Sequence, residues 1–507
     1  MVGFYEFQLG ALAVICLAFL ILERYISASK ESPPAQAKEL DDIVENGHRT
    51  NGHEAATSST RSTALRVLMR KYLLVYAIVM GADWLQGPYV YSLYREQYDF
   101  PERTVAVLFV TGFVSAAIFA PLVGVWADEY GRKRLCLLFC ILYAATCGLL
   151  LFPYFPLLLL GRVFGGISTS ILFSAFESWL VSSSSNAALH SEDLSSIMGR
   201  ATLVNGFVAT GAGIFSNKLV ELTDGGFRAP FVASACLLLL GWIVIRGSWT
   251  ENYGGGGGGV QATSDIFQIK RLGSAWRIVA ADPTLLVLGL TQTIFEGSMY
   301  LFVFIWVPTL QGSSLHPSSL PLGYIFSAFM VSMMLGSLLY TFITTHWHRP
   351  PPTLVRTHAR TASIASITPP TNDTTLTLHA KLSSLVCAVS ALSFAICVSA
   401  GAGKNTEAEH LKFWAFCAFE ACVGMYYPVQ GMLRGSLIAN EHRATLSALF
   451  RVPLNVFVVA SLLTGVSSAR DVVLTACAVV MTISSITTAL IVLPRVEALS
   501  APDTSRN

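Results

Sequence analysis

The chain has 507 residues, of which 53% are hydrophobic and only 13% are charged, about half the ~25% typical of soluble domains. Mean hydropathy is +0.57. A soluble protein of this length, roughly three domains, needs more charge to cover its surface, so the chain is a polytopic membrane protein. A net charge of +2 offers no electrostatic footprint for nucleic acid, and the information lies in where the charges sit.

A bilayer core of about 30 Å requires about 20 mostly apolar residues in a helix. That ruler gives an N-terminal stretch near 3–22, followed by twelve spans. Spans 1 to 6 fall near 72–94, 104–127, 134–152, 156–182, 200–222 and 228–246. Spans 7 to 12 fall near 284–310, 321–345, 380–400, 411–435, 443–465 and 471–493. The first stretch has Glu6 at its start, with Arg24 and Lys30 after it. This polarity favours an uncleaved helix with its N-terminus outside over a signal peptide cut near Ser27-Ala28-Ser29. Of the 33 Lys and Arg residues, 23 fall on one side of the twelve-span core, seven on the other and three within spans. The positive-inside rule therefore puts both ends of that core in the cytoplasm.

Residues 1–71 form the first helix and a cytoplasmic linker, 72–246 one six-helix bundle, and 284–493 a second. Between the bundles, 247–283 contains six consecutive glycines, Gly254 to Gly259, and reads as a flexible cytoplasmic linker. The loop 346–379, rich in His, Pro, Thr and Ser, reads as disordered, and 494–507 as a cytoplasmic tail. All ten cysteines fall in apolar stretches without zinc-type spacing, so they read as reduced, packed thiols. The ten histidines fall in connecting segments, which leaves no histidine relay inside the membrane. His346, His348 and His358 read as part of a mobile loop rather than a metal site. No nucleotide-binding loop or nucleophile–base pair is visible, so neither enzymatic activity nor a cofactor is expected.

After span 2 runs Gly124-Val-Trp-Ala-Asp128-Glu-Tyr-Gly131-Arg132-Lys133-Arg134. Asp128 is at a helix end, Gly131 permits a tight turn, and the basic triplet suits the lipid surface. The string resembles the signature loop of the major facilitator superfamily. Gly161-Arg162-Val-Phe-Gly165-Gly166 in span 4 resembles that superfamily's R-x-x-x-G pattern, with small residues that permit close helix packing. The resemblance implies an all-α fold of two six-helix bundles plus one extra N-terminal helix. It also implies that Gly124, Asp128, Gly131, Arg132 and Lys133 act as a conformational latch.

Seven ionisable residues lie well inside spans: Asp83, Arg162, Glu177, Glu296, Glu420, Arg434 and Arg451. Facing lipid, such a set costs on the order of 20 kcal/mol, so they must face protein or water. Six of the seven are on spans 1, 4, 7 and 10, which line the cavity in the major facilitator fold. Arg162 and Glu177 are ~22 Å apart along one helix and cannot pair with each other. Opposite charges from the two halves, such as Arg162 and Glu420, are expected to form alternating gates. Asp83 and Glu296 occupy equivalent positions near the midplane, where desolvated carboxylates suit reversible proton binding. Guanidinium groups present a planar fork of donors to an oxyanion, which makes Arg434, Arg451 and Arg162 the candidate anion ligands. Pro88 and Pro453 are expected to bend their helices locally.

Four further strings narrow the resemblance: Ala82-Asp83-Trp84-Leu85-Gln86-Gly87-Pro88-Tyr89, Phe173-Ser174-Ala175-Phe176-Glu177-Ser178-Trp179, Phe295-Glu296 with Phe304-Ile305-Trp306, and Phe450-Arg451-Val452-Pro453. With Tyr426-Tyr427-Pro428 they resemble the molybdate-anion transporter family, over nearly the whole helical core. That resemblance implies secondary uptake of molybdate, a tetrahedral dianion; a monomer in the plasma membrane is the accompanying expectation, with an internal membrane left open. Four buried acids outnumber three buried arginines, which favours proton coupling and keeps open a carrier for another polar solute. A membrane sensor or scaffold without transport is the remaining reading.

Overall fold

Lipid cannot satisfy backbone polar groups, so a chain this apolar must close its hydrogen bonds within helices. Among the described residues every regular element is helical. The computed structural model describes residues 3–31, 52–253, 276–315, 320–347, 373–401, 403–438, 440–464 and 470–500. The glycine run and most of the loop 346–379 lie outside them, as do the side chains of Asp128 and Arg451.

The helices are α1 (Phe4–Glu31), α2 (Gly52–Gln86), α3 (Glu102–Tyr130), α4 (Arg132–Leu149), α5 (Phe155–Leu172), α6 (Ala175–Asn186), α7 (Ser191–Leu222) and α8 (Ala229–Ser248). They continue as α9 (Pro283–Ser313), α10 (Leu322–Trp347), α11 (Asp373–Ser399), α12 (Thr406–Leu437), α13 (Asn440–Thr464) and α14 (Arg470–Thr487). Eight helices among the described residues are long and apolar enough to cross a membrane, including α1, α9, α10 and α11. Others, such as α2 and α12, carry the charged residues that lower their hydropathy.

Two of the expected spans are broken. The first stops at Gln86 and resumes as a short helix, Val90–Ser92, and a π-helix, Leu93–Gln97. Pro88 has no N–H and its ring crowds the carbonyl four residues back, which favours a break at this point. Pro453, by contrast, sits inside a continuous α13. The fourth span divides at Phe173–Ser174 without any proline. Just before that point Thr169 Oγ1 donates to the Gly165 carbonyl at 2.9 Å and Ser170 Oγ to the Ala116 and Gly166 carbonyls at 2.8 and 3.1 Å. Hydroxyls that bond back onto the helix in this way bend it.

The chain divides into two compact units. Unit 1 is Met1–Gln268 with Phe304–Val331 and Val458–Ser468; unit 2 is Ile269–Val303, Ser332–Phe457 and Ala469–Asn507. In unit 1, α3 packs on α5, α4 on α5 and α8, and α2 on α7 and α8. A Cβ at Gly166 would stand 2.5 Å from the Gly112 carbonyl oxygen, so only glycine permits this approach of α5 to α3. In unit 2, α11 packs on α12 and α14. Its core is aromatic: Phe295 stacks on Tyr426 at 3.9 Å between ring centroids, and Phe302 meets Phe416 and Phe419.

All ten cysteines are free, nine of them buried and Cys236 exposed. His379 departs from its expected place in a loop. It lies inside α11, 1% exposed, with Nε2 2.9 Å from Tyr340 Oη. His346 stacks on Phe342, while His348 and His358 lie outside the described residues.

Candidate functional site

In unit 1 the polar string at the end of α2 is distributed among three neighbouring helices. Asp83 accepts a 2.5 Å hydrogen bond from Tyr143 Oη on α4. Trp84 Nε1 donates to Asn205 Oδ1 on α7 at 2.8 Å, and Gln86 Nε2 to Ser234 Oγ on α8 at 2.9 Å. Ser234 Oγ in turn donates to the Ala82 carbonyl at 2.6 Å. Beyond the break, Tyr89 Oη donates to Asn217 Oδ1 at 2.9 Å. Each polar side chain thus has a neutral partner, which a buried group requires.

Arg162 is half-buried in α5. Its Nε donates to the Leu108 carbonyl at 3.2 Å, and its guanidinium lies over the Phe109 ring, 5.2 Å from the centroid. The carbonyl and the ring are both uncharged. Glu177 is exposed on α6.

The basic turn after α3 is built more firmly than its sequence suggests. Gly131 adopts φ +101°, which favours glycine, and a Cβ there would stand 2.6 Å from the Glu251 carboxyl carbon. Glu251 takes up that space. It accepts from the backbone N–H of Lys133 at 2.8 Å and of Arg134 at 3.1 Å, while Arg132 N donates to the Asn252 carbonyl at 3.0 Å. Three of the unpaired amides at the N-terminus of α4 are thereby satisfied, two of them by a carboxylate at the positive end of the helix dipole. The Lys133 ammonium donates to the Arg246 and Trp249 carbonyls at 3.0 and 2.6 Å, and Arg132 Nη1 to the Ser178 carbonyl at 3.2 Å. Trp249 stacks on Trp179 with centroids 3.6 Å apart. Gly124 borders open space. A cavity of about 800 Å³ opens beside this clasp, lined by Arg132, Glu177, Ser178, Glu251, Asn252 and Tyr253 among others.

In unit 2, Arg434 is half-buried on α12. Its Nη1 donates to Gln292 Oε1 on α9 at 2.9 Å and its Nε to the Gln430 carbonyl at 3.3 Å. One helical turn beyond Gln292, Glu296 accepts from Tyr426 Oη at 3.4 Å. Gln430 donates to Ser383 Oγ at 2.9 Å and leaves its own side-chain oxygen unbonded. Glu420 is 5% exposed, packed in α12 near Cys417. The structure therefore gathers Glu296 and Arg434 around Tyr426 and Gln292. Asp83 and Arg162 lie in unit 1 with partners of their own.

Sequence reasoning passed over Tyr143, Gln292 and Glu251. Gln292 carried a signal: it is a carboxamide inside an apolar span, four residues before Glu296 and hence on the same helix face. Tyr143 and Glu251 carried none, because their roles depend on which helices are neighbours.

Residues 46–372 match the profile of a family described as sugar transporters, 12 TM. The chain is 32% identical over 426 residues to the molybdate-anion transporter of Takifugu rubripes, covering 80% of this chain and 81% of that one. It is 32% identical over 405 residues to the Xenopus laevis molybdate-anion transporter, with 79% and 80% covered. Against the Danio rerio protein of that name the identity is 30% over 433 residues, with 81% and 82% covered. Among solved structures, the nucleoside transporter NupG aligns with a TM-score of 0.55 at 12% identity, covering 85% of this chain and 98% of that one. The inward-open xylose transporter XylE from E. coli gives 0.56 at 12% identity, with 87% and 99% covered.

Fold and intramembrane charges together define a membrane carrier of the major facilitator type. Within that class, the chain belongs to the molybdate-anion transporter family of the major facilitator superfamily.

Proposed function

We propose that this protein is a secondary transporter that takes up molybdate by alternating access. The observation that carries this reading is Arg434, a half-buried cation inside α12 whose described partners, the Gln292 carboxamide and a backbone carbonyl, leave its charge for an anion. The relatives named molybdate-anion transporters, matched over four-fifths of the chain, support the identity of that anion. Arg162, similarly held by neutral groups, and Arg451 complete the anion-binding set. Asp83, Glu296, Glu177 and Glu420 are the cavity acids, with Asp83 and Glu296 carrying the coupled proton. Arg162 and Glu420 close one gate. Gly124, Asp128, Gly131, Arg132 and Lys133 form the latch, which Glu251 holds at the head of α4. The protein acts as a monomer in the plasma membrane with both ends of its twelve-helix core in the cytoplasm. No enzymatic step enters this mechanism.

The test is molybdenum accumulation in cells that lack their own importer, from nanomolar to micromolar molybdate, with the parent chain and with Arg434→Ala. Saturable uptake that the variant loses is expected. Unchanged molybdenum content with the parent chain present at the surface sinks the proposal. A second reading, a proton-coupled carrier for another small polar solute, is favoured by the description of the matching family. Competition by sulfate or sugars against molybdate separates the two.

A further inference from the structure

We propose that Gln292 is the positioning residue that sets the anion selectivity of unit 2, by aiming the Arg434 guanidinium without neutralising it. This rests on the reading of Arg434 as an anion ligand. Gln292 is 2% exposed, so its carboxamide cannot turn to water for a partner. A guanidinium has donors only, which forces the side-chain oxygen of Gln292 to face it, and the contact is 2.9 Å. With Nε committed to the Gln430 carbonyl, the guanidinium plane is fixed at two points. Among the described residues nothing else takes its remaining N–H groups, which suit a planar, two-point contact with an oxyanion.

The chemistry of the partner decides what the site binds. A carboxylate at the same place would form a charge-assisted pair and compete directly with an oxyanion for the same donors. Among the described residues Arg434 makes no ion pair, although Glu296 is only one helical turn from Gln292 and accepts from Tyr426 Oη at 3.4 Å. An amide at position 292 gives orientation, and its neutrality preserves affinity for a dianion. An apolar residue of the same length would preserve the charge and lose the aim.

This ordering is the opposite of what a purely structural role predicts. For packing and hydrogen bonding, Gln292→Glu is the milder change and Gln292→Met the harsher. For an anion site Gln292→Glu is the harsher one. Uptake of labelled molybdate is measured against concentration for the parent chain and both variants, normalised to surface abundance. The expected result is a KM raised about tenfold or more in Gln292→Glu and about threefold in Gln292→Met, with Vmax changed by less than about twofold in each. An unchanged KM in Gln292→Glu, or a larger rise in Gln292→Met, overturns the inference while leaving molybdate transport standing. No uptake by the parent chain removes the transport reading and this inference with it. Should Gln292→Glu not reach the membrane, Gln292→Asp against Gln292→Asn repeats the comparison at one methylene shorter, and Asp must again be the harsher.

Discussion

The two units solve the same problem with different tightness. Each offers a helix-borne carboxylate a tyrosine, Asp83 near the end of α2 and Glu296 within α9. In unit 1 Tyr143 Oη is 2.5 Å from Asp83; in unit 2 Tyr426 Oη is 3.4 Å from Glu296. The neighbours of Asp83 are equally committed, with Trp84, Gln86 and Tyr89 each tied to a different side chain. In unit 2 the Gln430 side-chain oxygen is unbonded and Arg434 is held by the Gln292 carboxamide. A hydrogen bond at 3.4 Å is near the limit of usefulness, whereas one at 2.5 Å to a carboxylate is strong. The comparison teaches that the same carboxylate–tyrosine pairing is held by a much shorter contact in unit 1 than in unit 2.

The comparison breaks most visibly at the arginines. Arg434→Ala removes a charge with neutral partners, so abundance is expected to hold while uptake at micromolar molybdate falls about a hundredfold, the scale of losing one side of a desolvated charge contact. Surface labelling beside uptake checks this, and equal losses in both would make Arg434 structural. The tyrosines give the next largest effect. Tyr143→Phe strips Asp83 of its donor and should lower the unfolding free energy of the solubilised protein by about 1–3 kcal/mol. Tyr426→Phe, losing a bond at the edge of the useful range, should cost less than about 1 kcal/mol. Thermal unfolding of the two variants in one detergent ranks them, and a reversed order would undo the contrast between units.

Much of this arrangement was legible in the sequence. The charges that identify α2, α5, α9 and α12 stand out because so few interrupt the apolar spans, and Pro88 announced the break at the end of α2. Partner identity was not legible. Tyr143 lies 60 residues from Asp83 and Gln292 lies 142 from Arg434. Hydroxyl and amide groups acquire meaning only when helix packing brings them to a charge. The break at Phe173–Ser174 escaped because neither proline nor glycine marks it in the sequence. Glu251 was read as the start of a linker, although it caps α4. Glu251→Ala should cost about 1 kcal/mol as the loss of a helix cap, with Glu251→Gln intermediate because it retains an acceptor but not the charge. Melting of Glu251→Gln identical to that of the parent would show that the charge at the helix end contributes nothing.

The smallest effect belongs to the ion pair between Arg61 on α2 and Asp193 on α7, and it separates charge used for fixing from charge used for binding by its pH range. Arg61 Nε and Nη2 reach Asp193 Oδ2 at 2.9 and 2.6 Å, and the His190 backbone N–H donates to the same oxygen at 3.1 Å. Arg61 Nη1 also lies 3.5 Å from His190 Nε2, and Glu192 is the adjacent acid in the first turn of α7. The hydrogen bond from Arg61, above all, holds the Asp193 carboxyl below its ordinary pKa. A depressed folded-state pKa means that the ionised form is favoured by folding. The stabilisation is therefore complete above the unfolded carboxylate's value of about 3.9 and disappears as pH falls through the lower, folded value. The difference in unfolding temperature between the parent and Asp193→Asn should accordingly be small and constant from pH 8 to about pH 5, then shrink only below about pH 4. A difference that instead changes between pH 5 and 8 would show that the Asp193 carboxylate is not the group whose ionisation the pairing favours.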